Sequence, residues 1–243
     1  MNTTINELLN RKSTRIFSDK EITNEVKETI INATVAAPSA GNMQLYTIID
    51  VEDKKMIDKL SILCDNQLFI SKAKWVLIFL ADYQKWYDAF RSLDLETRSI
   101  QEGDLLLATT DATIAAQNAV TAAESLGIGS CYIGDIMENY EEIKDLLKLP
   151  RYTYPACMLV FGYPDERETK VIKPKRIDNK FIVHKNCYHQ LNKDELKEML
   201  SYKANGKTYE EYMKAFLQRK HNSEFSEEMQ RSARLYVDDF SKK

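Results

Sequence analysis

The chain has 243 residues, of which 44% are hydrophobic and 29% are charged, and its formal net charge is -3. This composition is typical of a globular protein that buries a full core, and it argues against a nucleic-acid binder, which carries a broad basic surface. The chain begins without the charged and apolar regions of a leader, and no apolar run approaches the ~20 residues of a membrane helix. We therefore expect a cytoplasmic protein that contacts neither nucleic acid nor membrane.

The first part of the chain alternates between helical and strand patterns. Apolar residues recur at helical spacing over residues 2–10 and 23–37, and Pro38 stops the second helix. Residues 74–81 and 154–162 are continuous apolar runs, which predict strands that are buried on both faces. The other elements predicted here are a strand over residues 45–51 and a helix over residues 54–63.

The longest predicted helix covers residues 104–126 and ends at Gly127. Leu, Ala, Ile and Val fill most of its positions, so the helix has little polar face. No Lys or Arg occurs between Arg98 and Lys144. We expect this helix to be buried nearly all round, at the centre of the domain or of a dimer.

Beyond Pro164 the chain becomes polar and charged. A helix with a narrow apolar stripe is not stable alone in water, so the last predicted helix must pack on the main body or on a partner subunit. We therefore predict a core over residues 1–180 and a helical C-terminal extension over residues 181–243. The helices predicted in this extension cover residues 193–200, 209–219 and 226–240.

Two segments have the residue types needed to bind a flat, phosphorylated ligand. Residues 36–44 read Ala-Ala-Pro-Ser-Ala-Gly-Asn-Met-Gln, and these small residues with Gly41 let the backbone approach a planar ring closely. Upstream, Arg11, Ser13 and Arg15 offer cations and a hydroxyl group to a phosphate. The same cations also suit an ordinary helix C-terminus, so this cluster alone leaves both interpretations open.

A second basic segment favours the phosphate site over helix capping. Pro174 indicates an irregular loop, and Asp178 is the only acidic residue within the segment. Such a loop can fold over a phosphate that the upstream cations hold from the other side, and each charge-assisted hydrogen bond contributes about 1.5 to 3 kcal/mol. The basic residues of the segment are Lys170, Lys173, Lys175, Arg176 and Lys180.

Other chemistries lack their motifs. The Gly-Ile-Gly sequence at residues 127–129 follows a helix and has Tyr132 in place of the third glycine of a dinucleotide fingerprint, and no P-loop occurs. No Gly-x-Ser-x-Gly elbow marks a hydrolase nucleophile. The His-x-x-Cys-x-His sequence at residues 184–189 would crowd its ligands into one turn, so we expect no metal site, and the four separated cysteines predict free thiols. With no catalytic side chain evident, the chain fits an enzyme whose cofactor carries out the chemistry.

Four segments of the chain occur in a fixed order. They are Arg11-Lys-Ser-Thr-Arg-Ile-Phe17, Ala36-Ala-Pro-Ser-Ala-Gly-Asn-Met-Gln44, Ala115-Ala-Gln-Asn-Ala-Val-Thr-Ala-Ala-Glu-Ser-Leu-Gly127 with Tyr132-Ile-Gly134, and Lys173-Pro-Lys175. In this order they resemble the FMN-dependent nitroreductase family, most closely its NADPH-preferring, flavin-reductase-like branch. The resemblance implies an α+β fold, in which helices pack on a mixed or antiparallel sheet around a long buried central helix. It also implies an intertwined homodimer with FMN in the interface.

The resemblance assigns binding roles by position. Gln67 would pair its amide donor and acceptor with the pyrimidine edge of the flavin, and Gly134 would offer a backbone N–H near the reactive flavin nitrogen. Lys175 stands where related chains often have Arg, so its phosphate contact would be less fixed in geometry. The phosphate and ribityl chain would contact Arg11, Ser13, Arg15, Lys173 and Lys175. The flavin ring would contact Pro38, Ser39, Ala40, Gly41, Asn42, Gln44, Tyr132, Ile133 and Gly134.

The implied reaction is a hydride transfer from NADPH or NADH to FMN, followed by a two-electron transfer to a nitroaromatic, a quinone or free flavin. Arg219 and Lys220, in the extension, are candidates for binding the additional phosphate of NADPH. Two alternatives remain open at this point. One is a flavoenzyme of the same fold with another reaction, such as dehalogenation or desaturation, and the other is a flavin-binding redox sensor without turnover.

Overall fold

The structure is a computed structural model that describes residues 2–241, apart from the side chain of Thr169. The strands are β1 (Tyr46–Asp50), β2 (Trp75–Asp82), β3 (Gly129–Ile133) and β4 (Thr153–Gly162). The helices are α1 (Thr3–Asn10), α2 (Asn24–Val35), α3 (Lys54–Leu63), α4 (Gln84–Arg91), α5 (Glu102–Ser125), α6 (Tyr140–Leu147), α7 (Glu166–Thr169), α8 (Lys193–Ser201), α9 (Tyr209–Lys220) and α10 (Glu224–Ser241). Among the helices of residues 2–241, none is long and apolar enough to cross a membrane.

The four strands form one antiparallel sheet in the order β1-β2-β4-β3. β2 is buried along its whole length, as its continuous apolar sequence predicts. Its odd-numbered residues from Trp75 to Phe79 pack in one cluster with α2 and α5, and its even-numbered residues from Val76 to Leu80 pack in another with α3, α6 and α10. Helices therefore cover both faces of the sheet, which confirms the predicted α+β class.

Helix α5 crosses one face of the sheet and packs on β2 and β4. Its many alanines let the helix lie close to the strands. The opposite side of the helix is exposed in the single chain, with Leu106 68%, Leu107 43% and Ile114 36% exposed. The helix was expected to be buried nearly all round, but in the single chain it is buried on one side only. Between Leu105 and Ala123 its exposed side carries no charged residue.

The segment that follows α1 lies along the outer edge of the sheet. Ser13 pairs with Ser130 of β3 in a parallel bridge, and β3 is the last strand of the sheet. Gly129 permits this close approach, because a Cβ atom at this position would lie 2.3 Å from the Thr14 Oγ1 atom. Residues 11–15 therefore cover the edge of β3.

The chain divides into two compact units, Met1–Lys173 with Glu228–Lys243 and, separately, Pro174–Glu227. In the larger unit, the C-terminal part of α10 packs on the core, with the Tyr236 and Tyr140 ring centroids 4.7 Å apart. This packing agrees with the expectation that the last helix lies against the main body. In the smaller unit, α8 and α9 pack on each other. The domain boundary expected at residue 180 stays a prediction.

Candidate functional site

The basic segment after α1 is held by backbone hydrogen bonds. The Thr14 N–H donates to the Ser130 carbonyl at 2.9 Å. The carboxylate of Glu168, which is only 3% exposed, accepts the N–H groups of Arg15 at 3.2 Å and Ile16 at 3.0 Å. Because these bonds use main-chain groups, they fix the path of the segment without engaging its basic side chains.

Arg11, Ser13 and Arg15 lie on one side of this extended segment. All three lie close enough to Cys131 to affect its thiol. Burial raises the pKa of this thiol, and the charges of Arg15 and Arg11 and a hydrogen bond with Ser13 oppose the increase. Lys12 lies on the other side, where its Nζ atom donates to two backbone carbonyls of the segment after β4. The structure therefore brings together the three residues predicted from the sequence.

A buried donor without an acceptor lies in this group. The Nε atom of Arg11 is buried and has no hydrogen-bond partner among residues 2–241. Burial raises the pKa of Glu124 at the end of α5, and the charges of Arg11 and Lys173 oppose this increase. The Lys173 Nζ atom donates to the Leu9 carbonyl. Since a buried guanidinium N–H without an acceptor is costly, these residues fit an anionic ligand such as a phosphate.

Gln67 and the turn after β3 lie beside these cations. The Gln67 Nε2 atom donates to the Asp135 Oδ2 atom at 2.7 Å, which places Gln67 next to Gly134. The Arg15 guanidinium lies 5.7 Å from the centroid of the Phe69 ring. The single chain thus joins Gln67 and the end of β3 to the basic segment.

Tyr132 and Ile133 differ in what they offer a ligand. Burial raises the pKa of Tyr132, Cys157 adds to the increase, and the charge of Arg11 opposes it. Ile133 is 1% exposed and its side chain belongs to the core. Of the two, Ile133 therefore has only its backbone available for a ligand.

The elbow over residues 36–44 is anchored by a buried carboxylate on α5. Asp111 is 2% exposed and accepts the N–H groups of Ala40 at 3.0 Å and Leu45 at 3.1 Å. Gly41 has a φ angle of 56°, in the left-handed region that favours glycine. The sharp path of the elbow is therefore fixed by tertiary bonds as well as by its local sequence.

Side chains of the elbow also bond locally. The Ser39 Oγ atom accepts the N–H of Gln44 at 3.0 Å, and the Gln44 side-chain amide donates to the Val35 carbonyl at 3.4 Å. The exposed residues of the elbow include Pro38, Gly41 and Asn42. The elbow therefore presents backbone and short side chains, as its sequence predicts.

The elbow is attached near the middle of α5, and the basic segment lies at its C-terminal end. Asp111 holds the elbow, whereas Glu124 lies beside Arg11. These two α5 residues are separated by about 20 Å along the helix axis, given a rise of 1.5 Å per residue. The single chain therefore holds the two candidate groups apart.

Three of the predicted phosphate-binding residues belong to the smaller unit, namely Lys175, Arg219 and Lys220. The Lys175 Nζ atom lies 5.2 Å from the centroid of the Tyr202 ring. Arg219 lines a cleft of about 370 Å³ within this unit, together with Tyr212 and Phe216. Their contacts with a phosphate stay predictions.

The same cleft contains two cations that sequence reasoning missed. Lys203 and Lys207 line it together with the aromatic residues, whereas Lys220 is not among its lining residues. Cations beside aromatic rings suit a phosphorylated aromatic group. Neither lysine belongs to a recognisable motif, so no local signal marked them.

The histidines of the His-x-x-Cys-x-His sequence at residues 184–189 form local contacts. The His184 Nδ1 atom accepts the N–H of His189 at 3.0 Å, and the His189 ring lies 3.0 Å from a Glu195 carboxylate oxygen. Over the described part of the chain, no group of three or more His, Cys, Asp or Glu side chains has the geometry to hold a metal ion.

Comparison with known proteins identifies the family. The sequence profile of the Nitroreductase family matches residues 8–163. The chain belongs to the nitroreductase family. It is 33% identical over 240 residues to FMN reductase (NAD(P)H) of Bacillus subtilis, covering 98% of this chain and 92% of that protein. It is also 33% identical over 192 residues to the oxygen-insensitive NADPH nitroreductase of Salmonella typhimurium, covering 79% and 77%.

A solved structure of this nitroreductase family has the same fold. The NADPH:FMN oxidoreductase from Vibrio harveyi complexed with NAD+ aligns with a TM-score of 0.79 and 27% identity, over 96% of this chain and 98% of that chain. These matches confirm the family and the branch that the sequence motifs predicted.

Sequence reasoning missed three carboxylates that hold the candidate site, those of the buried Asp111 and Glu168 and the half-buried Asp135. Asp111 had a visible signal, because an acid isolated in an apolar helix is rarely buried without partners. Glu168 and Asp135 had none, since each lies in a segment where an acid is unremarkable. All three act on backbone or side-chain groups that are distant in sequence.

Proposed function

We propose that this protein is an NAD(P)H-dependent flavin oxidoreductase that binds FMN. The observation that carries the proposal is the cluster of Arg11, Ser13 and Arg15, in which a buried Arg11 N–H lacks an acceptor. FMN, when bound, supplies the redox chemistry by accepting hydride from NAD(P)H and releasing two electrons to an acceptor. The relatives named FMN reductase and NADPH nitroreductase support this cofactor and this donor. Nitroaromatics, quinones and free flavin are the proposed acceptors.

Different residues of the chain would bind different parts of FMN. Arg11, Ser13 and Arg15 would hold the phosphate and ribityl chain, with Lys173 beside them. Gln67 would contact the pyrimidine edge. The elbow residues Pro38, Ser39, Ala40, Gly41, Asn42 and Gln44 and the strand-end residues Tyr132, Ile133 and Gly134 would line the ring. Lys175 would be a further phosphate contact.

The site would be completed by a second copy of the chain. The elbow and the basic segment are held about 20 Å apart along α5, so one chain would supply the phosphate contacts and its partner the elbow. The exposed, uncharged side of α5 offers the interface, with Leu106 68% exposed. α1 contacts α5 and exposes Leu8 and Leu9 as well. Exposed apolar residues on an uncharged helix face are typical of an interface between subunits.

The cleft in the smaller unit would bind the additional phosphate of NADPH. Arg219 can contact a phosphate through two N–H groups, while Lys203 and Lys207 add positive charge. The predicted partner Lys220 would act from the neighbouring turn of α9. This arrangement would favour NADPH over NADH.

The test is an anaerobic titration of the FMN-loaded protein with NADPH, followed by flavin absorbance, with a nitrofuran added afterwards. We expect bleaching by NADPH and recovery of the absorbance on adding the nitro compound. A protein that retains FMN but is bleached by neither NADPH nor NADH would favour the redox sensor. Bleaching without recovery by any nitro compound, quinone or flavin would favour another reaction of the same fold.

A further inference from the structure

Gln67 uses both of its N–H donors within the protein. Its Nε2 atom donates to the Cys64 carbonyl at 3.0 Å and to the Asp135 Oδ2 atom at 2.7 Å. A primary amide has two N–H donors and one carbonyl acceptor. The carbonyl oxygen is therefore the part of the Gln67 amide that is left for a ligand. The paired donor and acceptor contact expected from the sequence does not fit this arrangement.

Asp135 and the Cys64 carbonyl together determine this orientation. If the amide of Gln67 were turned over, its oxygen would face the Asp135 carboxylate and the Cys64 carbonyl, and three acceptors would meet without a proton between them. The bond to the carboxylate is the shorter of the two, so Asp135 reinforces the orientation in which Gln67 accepts.

A buried carboxyl group, that of Glu138, lies near Asp135. Glu138 is 5% exposed, and its Oε1 atom has no hydrogen-bond partner among residues 2–241. Burial raises the pKa of Glu138 to about 7, and the negative charges of Asp135, Asp65 and Glu228 add to the increase. These acids come from the turn after β3, the loop after α3 and helix α10. Glu138 therefore changes its charge in the neutral pH range.

The same charges act on the backbone partner of Gln67. Burial raises the pKa of the Cys64 thiol, and Asp135 and then Glu138 add to the increase. Cys64 accepts a Gln67 N–H through its carbonyl. The charges of Asp135 and Glu138 therefore also act at Cys64, the residue whose carbonyl holds Gln67.

We propose that Asp135 is a positioning residue that, with the Cys64 carbonyl, holds Gln67 as an acceptor for the N3–H of the flavin, and that ionisation of Glu138 adds a second negative charge near this contact. The inference rests on the proposed binding of FMN. The oxidised flavin ring has one N–H donor, at N3, and a Gln67 that can only accept selects it. A second negative charge opposes the addition of electrons to the ring, so ionised Glu138 lowers the midpoint potential of bound FMN.

The first test compares the binding of FMN and N3-methyl-FMN to the apoprotein by quenching of flavin fluorescence. The wild type should bind FMN at least ~30-fold more tightly, because methylation leaves the Gln67 carbonyl without its donor. In Asp135→Asn the new side chain can donate to a turned Gln67 amide, so only the Cys64 carbonyl still opposes that orientation and the ratio should fall to below ~10-fold. Asp145→Asn, an exposed acid on α6, is the matched control and should keep the wild-type ratio.

The outcomes separate the inference from the proposed function. An Asp135→Asn protein that keeps the wild-type ratio would overturn the role of Asp135. A wild-type protein that binds both flavins equally would do the same. Failure of the wild type to bind either flavin would instead contradict the proposed function.

The second test measures the midpoint potential of bound FMN against pH in the wild type and in Glu138→Gln. The two potentials should agree at pH 5.5, where both side chains are neutral, and the wild type should become the more negative above about pH 7. Asp65→Asn keeps Glu138 but removes an exposed neighbouring charge that raises its pKa. The midpoint potential of this variant should therefore fall below that of Glu138→Gln from a lower pH than in the wild type. Parallel profiles in the wild type and Glu138→Gln, or an unchanged onset in Asp65→Asn, would overturn the role of Glu138.

Discussion

The carboxylate of Asp111 accepts the backbone N–H of Ala40 at 3.0 Å across 71 residues of sequence. A second bond from Leu45 reaches the other oxygen of the same carboxylate. Helix α5 thereby holds both sides of the elbow that precedes β1. The elbow is the element that we propose to contact the flavin ring, so its shape depends on a side chain outside its own segment.

Replacing Asp111 with alanine should destabilise the fold and weaken FMN binding. The change leaves two N–H groups without acceptors, and hydrogen bonds to charged groups contribute about 1.5 to 3 kcal/mol each, so we expect a loss of about 3 to 6 kcal/mol in the free energy of unfolding. Urea denaturation of the apoprotein measures it. Asp58→Ala, on the exposed surface of α3, is the control and should cost less than ~1 kcal/mol. A loss in Asp111→Ala no larger than in this control would contradict the anchoring role.

Leu106→Asp should dissociate the proposed homodimer. The leucine is 68% exposed in the single chain, so the change should not affect folding of the subunit, but it places a charge in the apolar interface. Size-exclusion chromatography with light scattering should show a monomer that has lost bound FMN. Leu93→Asp, at 71% exposed on the α4–α5 loop, is the matched control and should stay dimeric with FMN bound. A dimeric Leu106→Asp protein would show that α5 does not form the interface.

Glu168→Gln should weaken FMN binding about tenfold, or ~1.4 kcal/mol. The neutral amide replaces the charge-assisted bonds that hold the backbone of Arg15 and Ile16, so the basic side chains should lose their fixed positions. Fluorescence titration of the apoprotein with FMN measures this affinity. Glu28→Gln, on the exposed side of α2, should bind as the wild type does. Equal affinities in the two variants would remove Glu168 from the site.

The stability of the apoprotein should fall as pH rises toward 7, in part because of Glu138. Burial raises the pKa of this group from its ordinary value of 4.5 to about 7, so the native state binds the proton more tightly than the unfolded chain. The contribution of this proton binding to the free energy of unfolding is fully present below pH 4.5 and is lost by about pH 7. Glu138→Gln should therefore be more stable than the wild type by about 1 to 3 kcal/mol at pH 8, the cost of an unpaired buried group, with little difference at pH 5. Urea denaturation at both pH values checks this, with the exposed Glu142→Gln as control.

Arg219→Ala should reduce the preference for NADPH. Loss of one charge-assisted phosphate contact should raise the KM for NADPH about tenfold, or ~1.4 kcal/mol, and leave the KM for NADH unchanged. Steady-state kinetics with both donors and a fixed acceptor provides the measurement. Lys214→Ala, exposed on the same helix, serves as control. An unchanged ratio of the two KM values would contradict the assignment of Arg219.

The sequence predicted those elements whose pattern is strong over their whole length. The helix at residues 54–63 coincides with α3, and the apolar run at residues 74–81 becomes the buried strand β2 within one residue at each end. The strand β3 was missed because it is short, and glycines at both of its ends weaken the strand pattern. Helix α6 was missed as well, and residues in the left-handed conformation, Asn139 and Lys148, flank it at both ends.

The arrangement of the candidate binding residues was predictable where a motif is local, and not where partners are distant. The spacing of Arg11, Ser13 and Arg15 is visible in the sequence because an extended segment places alternate residues on one side. The bond between Gln67 and Asp135 joins residues 68 positions apart, so only the folded chain reveals that it leaves Gln67 as an acceptor. A single sequence contains no record of such long-range contacts.

The position of residues 11–15 on the outer strand links ligand loss to self-association. This segment supplies the cations and at the same time covers the free edge of β3 through the Ser13–Ser130 bridge, while the Glu168 carboxylate holds its backbone. Displacement of the segment would release the candidate phosphate-binding side chains and expose unpaired N–H and C=O groups that can pair with the edge of another molecule. We therefore expect a ligand phosphate that holds these cations to reduce edge-to-edge aggregation, and protein depleted of that ligand to aggregate more readily.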